Sequence, residues 1–344
     1  MTTPSAQRIV LARRPKGKVT ETDFRLELTE APKPEPGQLL LRTQYLSLDP
    51  HMRWRMDDAK SYAAATAIGE VMPGESIAEV AESRHPEYAK GDIVLAPTGW
   101  QTHCLSDGKG LHKIDPADAP VTTQLGVLGM PGFTAYAGMR VIGQPKPGET
   151  VVVAAASGPV GSLVGQLARL AGARAVGIAG GPEKCAFVQG ELGFDAAVDH
   201  RAPDFADRLA DACPRGIDIY FENVGGAIFR TVAPLLTKFA RVPVCGLIGQ
   251  AGAAEFPGPD RLPGFMRDVL SKSLTIRGFI NYDFGELYPD FLRDIGPSIK
   301  AGEIKYKEDI VDGLDNAPKA FIGMLDGRNF GKLLIRMRGV GSPE

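Results

Sequence analysis

The sequence predicts an α/β protein, in which a doubly wound parallel sheet is joined to a β-rich N-terminal domain. Three observations lead to this fold class. The first part of the chain is rich in Gly, Pro and short alternating runs, which is typical of antiparallel strands. From about Gly129, strand-like and helix-like runs alternate, which is typical of a parallel sheet covered by helices. Within that region, Val151–Gly172 reads as a buried strand, a turn of small residues and a helix.

Length and composition indicate a globular protein of two domains. At 344 residues the chain exceeds the usual size of a single compact core. A net charge of −2 gives no electrostatic reason to expect binding to nucleic acid or to an anionic membrane. No apolar run approaches the roughly 20 residues that cross a bilayer, and the N-terminal stretch lacks the apolar core of a signal peptide. We therefore expect a cytoplasmic protein.

The cysteines and histidines give no pattern typical of a metal site. The four cysteines are widely spaced without a CxxC pair, and the five histidines show no HxxxH spacing. Structural zinc sites need closely spaced ligand pairs, so we expect no metal and predict buried, reduced thiols.

The predicted elements follow in order along the chain. The β-rich region holds the strand-like runs "FRLELTEAP", "GQLLLRTQYLSLDP", "SIAEVAES" and "GDIVLAPTGW". Six further runs, each followed by a helix-like segment, form the predicted parallel sheet: "ETVVVAAA", "RAVGIAG", "AAVDH", "GIDIYFENVG", "RVPVCGLIGQ" and "LTIRGFIN".

The C-terminal tail reads as a strand, a helix and a strand. We predict that Asn316 caps this helix and that Gly327 follows its end. We also expect the tail to return to the N-terminal domain, which makes that domain discontinuous. The predicted domains are residues 1–128 with 300–344, and residues 129–299.

The turn after the first buried strand of the parallel sheet predicts a dinucleotide site. Gly158 and Gly161 hold the second and third positions of G-x-G-x-x-G, with Pro159 and Val160 between them, while Ala155 replaces the first glycine. The second glycine lets the backbone approach a pyrophosphate, and the third lets the helix pack on its strand. Amides at the helix N-terminus bind phosphate. A turn shaped by packing alone, without a ligand, is the alternative.

The end of the next strand favours NADP(H) over NAD(H). An NAD site has Asp or Glu there to bind the ribose 2′-hydroxyl, but this sequence has Ala179–Pro182. Lys184 follows, within reach of a 2′-phosphate, although a solvated lysine is the alternative.

Ordered strings over nearly the whole chain resemble one branch of the medium-chain dehydrogenase/reductase superfamily, the zinc-free prostaglandin, 2-alkenal and curcumin reductases. That resemblance implies a GroES-like N-terminal domain, a Rossmann domain and NADPH-dependent reduction of the C=C bond of α,β-unsaturated ketones and aldehydes. The strings are "YLSLDPHMRWRMDDAKSY", "MPGFTAY", "AASGPVGSLVGQLA", "FENVGG" and "GMLDGRNFGKLLIR".

The resemblance also implies which residues contact the cofactor. Asn329 would reach it from the returning tail, with a turn role before Gly331 as the alternative. His200 stands where some members have a tyrosine beside the 2′-phosphate. The full predicted set is Gly158, Pro159, Val160, Gly161, Lys184, His200, Asn223, Cys245, Gly246, Phe279, Ile280 and Asn329.

The expected reaction adds hydride to the β-carbon of an enone or enal and a proton to the α-carbon. It needs hydrogen-bond donors at the enolate oxygen, and a tyrosine hydroxyl is protonated at neutral pH. Tyr62 and Tyr282 match tyrosine-bearing positions of relatives and are the predicted catalytic residues. For each, a packing role is the alternative, with the cofactor ribose or water as donor.

Two other functions fit the same sequence. A quinone oxidoreductase of the superfamily would deliver hydride to a quinone, and a non-catalytic protein would only bind NADPH. The family further implies a homodimer, for which the strand near Leu274–Ile280 is the expected edge.

Overall fold

The computed structural model describes residues 5–58, 61–117, 119–251 and 259–339. The chain divides into two compact units. The first unit comprises Met1–Leu125 and Glu308–Glu344, and the second comprises Gly126–Lys307.

The described elements are short strands and nine α-helices, with 3-10 turns between several of them. The strands are β1 (Ser5–Leu11), β2 (Phe24–Glu30), β3 (Leu39–Ser47), β4 (Ser76–Ser83), β5 (Ile93–Ala96), β6 (His103–Ser106), β7 (His112–Lys113), β8 (Thr150–Ala154), β9 (Arg174–Ala179), β10 (Ala196–Asp199), β11 (Ile217–Phe221), β12 (Leu236–Val244), β13 (Thr275–Gly278), β14 (Glu308–Asp312) and β15 (Lys332–Arg336). The helices are α1 (His51–Trp54), α2 (Met130–Ala137), α3 (Pro159–Leu170), α4 (Pro182–Gly190), α5 (Phe205–Ala212), α6 (Gly226–Val232), α7 (Leu262–Ser271), α8 (Tyr288–Lys300) and α9 (Ala317–Leu325).

The second unit contains the predicted doubly wound sheet. Its six strands run in the order β10-β9-β8-β11-β12-β13, all paired in parallel. The three central apolar strands are buried, because helices lie on a sheet of this type from both sides. The order reverses between β8 and β11, and ligands bind such sheets at this reversal, beyond the carboxyl ends of the strands.

The first unit is built on a seven-stranded mixed sheet and a two-stranded sheet. The larger sheet has the order β14-β15-β3-β4-β5-β7, with β6 also paired to β3. The tail adds β15 and β14 to one edge of this sheet, where Leu334 of β15 lies opposite Ser47 of β3. Trp100, fully buried, stacks on Phe24 at 5.4 Å between ring centroids and meets Phe321 edge-on. The fold class predicted from the sequence is confirmed.

The tail enters the first unit at Glu308, eight residues beyond the position inferred from the sequence. The intervening residues remain with the second unit because Gln166 of α3 bonds Lys305 twice. Its Nε2 donates to the Lys305 carbonyl at 2.9 Å, and its Oε1 accepts the Lys305 amide at 2.8 Å.

Two local predictions were only partly right. Asn316 stands at the N-cap position of α9 as expected, but its side chain makes no capping bond, because its Nδ2 donates to the carbonyl of Asp312 at 2.8 Å. The four cysteines are free thiols as expected, but only Cys213 is buried, and the other three are partly exposed. The exposure of a thiol depends on tertiary packing, which residue spacing does not report.

Candidate cofactor and active site

The turn that follows β8 has the geometry of a phosphate-binding turn. Ala155 has φ of +53°, in the left-handed region that glycine favours, so this alanine adopts the conformation expected of the missing first glycine. The amide of Gly158 donates to the Ala155 carbonyl at 2.9 Å and closes the turn. Gly158 then precedes α3 in an extended conformation, and Pro159 opens that helix.

Gly161 is required by close packing between the turn and the helix. A β-carbon on Gly161 would lie 2.4 Å from the carbonyl oxygen of Ala155 and 2.8 Å from Cα of Ala156. Both of these atoms belong to the backbone and cannot rotate away. The first turn of α3 is therefore held against the strand end, as the third glycine of the motif requires.

The N-terminus of α3 offers two backbone donors. The first helical hydrogen bond runs from the Ser162 amide to the Gly158 carbonyl, and Pro159 has no N–H. The amides of Val160 and Gly161 consequently have no acceptor within the helix. These donors and the positive end of the helix dipole suit an anion, so the turn fits the pyrophosphate of a dinucleotide.

Asn223 lies beside this turn, two residues after the end of β11. Its Nδ2 donates to the carbonyl of Ala154 at 2.9 Å, which joins the ends of β11 and β8. The sequence interpretation missed the neighbouring Glu222, whose buried Oε1 accepts the amides of Val224 and Gly225 at 2.6 and 2.8 Å. An acidic residue between a buried strand and two glycines was the available signal.

Cys245 and Gly246 meet the same region from the end of β12. Both of their amides donate to the Glu222 carbonyl, at 2.9 and 3.1 Å. Burial, reinforced by the Glu222 carboxylate, raises the pKa of the Cys245 thiol to about 12. The thiol therefore stays protonated at neutral pH, so it fills space in the site and does not act as a nucleophile.

The other cysteines are equally unsuited to nucleophilic catalysis. Burial raises the pKa of Cys104 to about 12 and that of Cys213 to about 11. Burial also raises the pKa of Cys185, with a further contribution from Asp199. None of these environments stabilises a thiolate, so the chemistry does not use cysteine as a nucleophile.

Phe279 and Ile280 follow the edge strand β13. The Phe279 ring is buried and packs edge-on against Phe221, with 6.1 Å between ring centroids. A β-carbon on Gly138 would lie 2.7 Å from Phe279 Cζ, so that ring fills the core of the second unit. Any contact of Phe279 with a cofactor has to come from its backbone. Ile280 is half-buried.

Lys184 and His200 lie together, at the ends of β9 and β10. Lys184 is in the first turn of α4, and its charge is one of the influences that lower the pKa of His200, after burial and Arg201. The His200 amide donates to the carbonyl of Ala179, the last residue of β9, at 3.0 Å. The structure thus brings both predicted 2′-phosphate residues to the strand end where the ribose of a dinucleotide lies.

The two predicted catalytic tyrosines belong to different units. Tyr62 lies in the first unit, in the segment that follows the undescribed residues 59–60, and its side chain is 57% exposed. Tyr282 lies in the second unit, in the 3-10 helix Asn281–Leu287, and is 82% exposed. Both side chains lie at the surface of the protein, where a substrate has access to them.

Asn329 occupies a turn of the first unit before β15. Its Nδ2 donates to the carbonyl of Gly331 at 2.9 Å, which is the local role that the sequence left open as an alternative. The amide of the next residue, Phe330, donates to Asp309 at 2.9 Å. The turn that carries Asn329 is therefore fixed by bonds of its own.

A buried ion pair secures the strand that leaves this turn, and sequence reasoning did not find it. Lys332 donates to Asp49 Oδ1 at 2.6 Å, to Ser47 Oγ at 2.6 Å and to the Leu48 carbonyl at 3.1 Å. Both charged side chains are almost fully buried. Burial acts to raise the pKa of Asp49, but the Lys332 ammonium and His51 outweigh it and hold that pKa below its usual value.

Two properties of the described residues bear on the class of protein. Among residues 5–58, 61–117, 119–251 and 259–339, no group of three or more His, Cys, Asp or Glu side chains is placed to hold a metal ion. Within the same ranges, every helix is too short or too polar to cross a membrane.

Two known families match this chain, and they define the class of protein. The family described as "N-terminal domain of oxidoreductase" matches residues 7–114. The family described as "Zinc-binding dehydrogenase" matches residues 159–295. Both are oxidoreductase families, in agreement with a dinucleotide turn in the second unit.

Individual proteins narrow this class. The chain is 53% identical over 335 residues to the NADPH-dependent curcumin reductase of Escherichia coli, covering 97% of each chain. It is 39% identical over 325 residues to prostaglandin reductase 1 of Bos taurus, covering 93% of this chain and 95% of that one. The crystal structure of CurA from Vibrio vulnificus in complex with NADPH matches with a TM-score of 0.93 and 50% identity, over 98% and 100% of the two chains.

The protein belongs to the family of the curcumin, prostaglandin and 2-alkenal reductases, within the medium-chain dehydrogenase/reductase superfamily. It is an NADP-dependent oxidoreductase. The family resemblance and the cofactor inferred from the sequence are thereby confirmed.

Proposed function

We propose that this protein uses NADPH to reduce the C=C bond of α,β-unsaturated ketones and aldehydes without zinc. The observation that supports this most directly is the turn after β8 in the second unit, where close packing requires glycine at position 161. The relatives of the chain include a curcumin reductase and a 2-alkenal reductase. When bound, NADPH supplies hydride to the β-carbon of the substrate.

The residues of this chain have to hold the cofactor and stabilise the charge that develops on the substrate. The Val160 and Gly161 amides hold the pyrophosphate, and Asn223 maintains the strand ends around it. As charge moves onto the carbonyl oxygen, a tyrosine hydroxyl donates a hydrogen bond to it. We assign this role to Tyr62 or Tyr282, and the protonation of the α-carbon to the same hydroxyl or to solvent.

A zinc-independent mechanism is supported by the donor set of the described residues. Their His, Cys, Asp and Glu side chains form no group suited to a metal ion. Hydrogen-bond donors then take over the polarisation of the carbonyl that zinc performs elsewhere. Activity that survives prolonged dialysis against a chelator, with no zinc found by elemental analysis, is the expected result.

The decisive experiment measures NADPH oxidation with enals, enones and quinones, and identifies the products. We expect turnover of enones and enals with reduction confined to the C=C bond. Turnover of quinones alone favours a quinone oxidoreductase, and tight NADPH binding without turnover favours a non-catalytic role. Either result contradicts the proposal.

The tyrosine assignment has its own test. If one of the two tyrosines is essential, its replacement, Tyr62→Phe or Tyr282→Phe, is expected to lower turnover roughly 10²-fold, which is the lower end of the rate effect of one general acid–base group. The affinity for NADPH is expected to stay unchanged. Tyr88→Phe in the first unit is a control, because that hydroxyl lies within hydrogen-bond distance of the backbone carbonyls of Gly108 and Leu111 and is not among the predicted site residues. Full turnover in both single variants and in the double variant assigns the proton to the cofactor ribose or water.

A homodimer and a cytoplasmic location complete the proposal. All four residues of the edge strand β13 are exposed. Ile276 of this strand and Leu270 of the preceding helix α7 present apolar surface there. Pairing with a second copy would satisfy the exposed backbone groups. Light scattering is expected to give twice the mass of the 36.7 kDa chain, and Ile276→Lys to give the monomer. Four free thiols are in keeping with a reducing compartment.

A further inference from the structure

The stretch that carries Tyr62, residues 56–66, leaves the turn after α1 and is bonded back to that turn. The carbonyl of Arg55 accepts the amide of Thr66 at 2.8 Å. The Nε of the same arginine donates to the carbonyl of Ala64 at 3.0 Å. The chain beyond Tyr62 is therefore fixed to the residue that directly precedes the stretch.

Arg14, from the loop that follows β1, joins the two ends of the Tyr62 stretch. Its Nη1 donates to the carbonyl of Met56 at 3.0 Å and to the carbonyl of Thr66 at 2.6 Å. The two hydrogens of this nitrogen thus match one acceptor at each end of the stretch. Met56 and Thr66 are both buried, and Arg14 is half-buried. Because the guanidinium is charged, these bonds are stronger than bonds between neutral groups.

A second arginine ties the beginning of the stretch to the same loop. Arg53 of α1 is almost fully buried, and its Nη1 pairs with Asp57 at 2.7 Å. Its Nη2 donates to the carbonyl of Gly17 at 3.2 Å. Two arginines, one from each side, therefore connect the loop after β1 with the stretch that carries Tyr62.

We propose that Arg14 is a positioning residue for the reaction and that it acts through Tyr62, the tyrosine that donates to the substrate oxygen. The Tyr62 side chain is 57% exposed, so burial does not fix it, and its position depends on the backbone that carries it. A catalytic group has to be held within about 0.5 Å of its productive position by the residues around it. Arg14 supplies this support by holding both ends of the stretch. The inference rests on the proposed function and deepens it, since it assigns the donor role to Tyr62.

The test is a double-mutant cycle on the rate of enone reduction. Arg14→Met should lower kcat roughly 10- to 100-fold and leave NADPH binding unchanged, because misplacing a reacting group by about 1 Å has effects of up to that size. In the Tyr62→Phe background the same substitution should cause no further loss, since the hydroxyl that it displaces is absent. Arg14→Lys keeps the charge without the planar fork and should fall between the parent and Arg14→Met. Arg13→Met is the matched control and should retain the parent's kcat, because that neighbouring arginine pairs with Asp23 at 2.8 Å.

Hydrogen exchange, measured on a peptide that spans residues 56–66, gives a readout that does not require activity. Arg14→Met should lose protection in this peptide, whereas peptides of the second unit should exchange as in the parent. Unchanged exchange, full turnover of Tyr62→Phe, or an equal loss of kcat in both backgrounds overturns the proposal. A parent protein that reduces no enone contradicts the proposed function and the catalytic part of this inference together. Unchanged exchange in an active parent contradicts this inference alone, so the two failures are distinguishable.

Discussion

Glu222 in the second unit and Asp49 in the first unit are buried carboxylates that are satisfied in different ways. Oε1 of Glu222 accepts the amides of Val224 and Gly225, two and three residues further along the chain. In the first unit, the buried Lys332 and Asp49 are 283 residues apart in the chain and satisfy each other through side chains. The contacts of Glu222 therefore have a local sequence signal, whereas the pair of Lys332 and Asp49 exists only after the tail has paired with β3.

The largest effect is expected from breaking the ion pair of the first unit. Lys332→Met leaves the buried Asp49 carboxylate without its cation, and removing one partner of a buried pair costs about 3–5 kcal/mol. Tryptophan fluorescence reports the unfolding of this unit, because both tryptophans, Trp54 and Trp100, lie within it. Urea denaturation monitored by tryptophan fluorescence provides the measurement.

The double variant Lys332→Met, Asp49→Leu is the control for this prediction. Replacing a buried ion pair by apolar side chains of similar size is often neutral, so the double variant should be more stable than Lys332→Met alone. A single variant that unfolds at the same urea concentration as the parent protein would show that the pair contributes no net stability.

This comparison also explains how far the sequence could predict the molecule. Periodicity and the glycine turn predicted the parallel sheet and its phosphate site, because βαβ units are local in sequence. Ala155 was accepted as a replacement for glycine, and the structure adds that it takes a left-handed conformation. The pair of Lys332 and Asp49 could not be predicted, since neither residue has a signal near it.

At the candidate site, residue type was predictable and orientation was not. Phe279 follows the exposed edge strand β13, and only the structure shows its ring turned into the core. Glu222 was overlooked although its signal is local, because the spacing does not show that its carboxylate is buried and accepts backbone amides. Asn329 bonds its own turn, which spacing alone could not separate from a contact with a ligand.

An intermediate effect is expected from crowding the phosphate turn of the second unit. Gly161→Ala places a methyl group 2.4 Å from a backbone carbonyl oxygen, which forces the helix and the turn apart. Overpacking of this kind costs about 1–3 kcal/mol, and displacement of the amides weakens NADPH binding. Thermal unfolding and NADPH titration measure the two consequences.

Gly264→Ala provides the matched control in the same unit. Its β-carbon meets no atom within 4 Å outside its own helix backbone, and it lies inside α7, where alanine favours the helix by up to about 1 kcal/mol. This variant should be slightly more stable than the parent and bind NADPH equally well. Equal behaviour of the two alanine variants would contradict the close approach assigned to Gly161.

The smallest effect concerns the pH dependence of the stability of the first unit. Burial lowers the pKa of His51 and of His103, both in the first unit, below the usual value of about 6.5. The unfolded chain then binds more protons than the folded one, so stability is lost as the pH falls through about 6.5 and levels off below the folded pKa. Glu75 and Glu308, whose pKa burial raises, act in the opposite direction.

A pair of variants isolates the histidine contribution from that of the carboxyl groups. Urea unfolding of the first unit is followed by tryptophan fluorescence between about pH 7 and 5.5. The free energy of unfolding should fall less steeply with decreasing pH in the double variant His51→Gln, His103→Gln than in the parent. His112→Gln, at an exposed position on β7, is the control and should retain the parent's slope. If the double variant loses stability as steeply as the parent, proton uptake by these two histidines is not the cause of the acid sensitivity of the first unit.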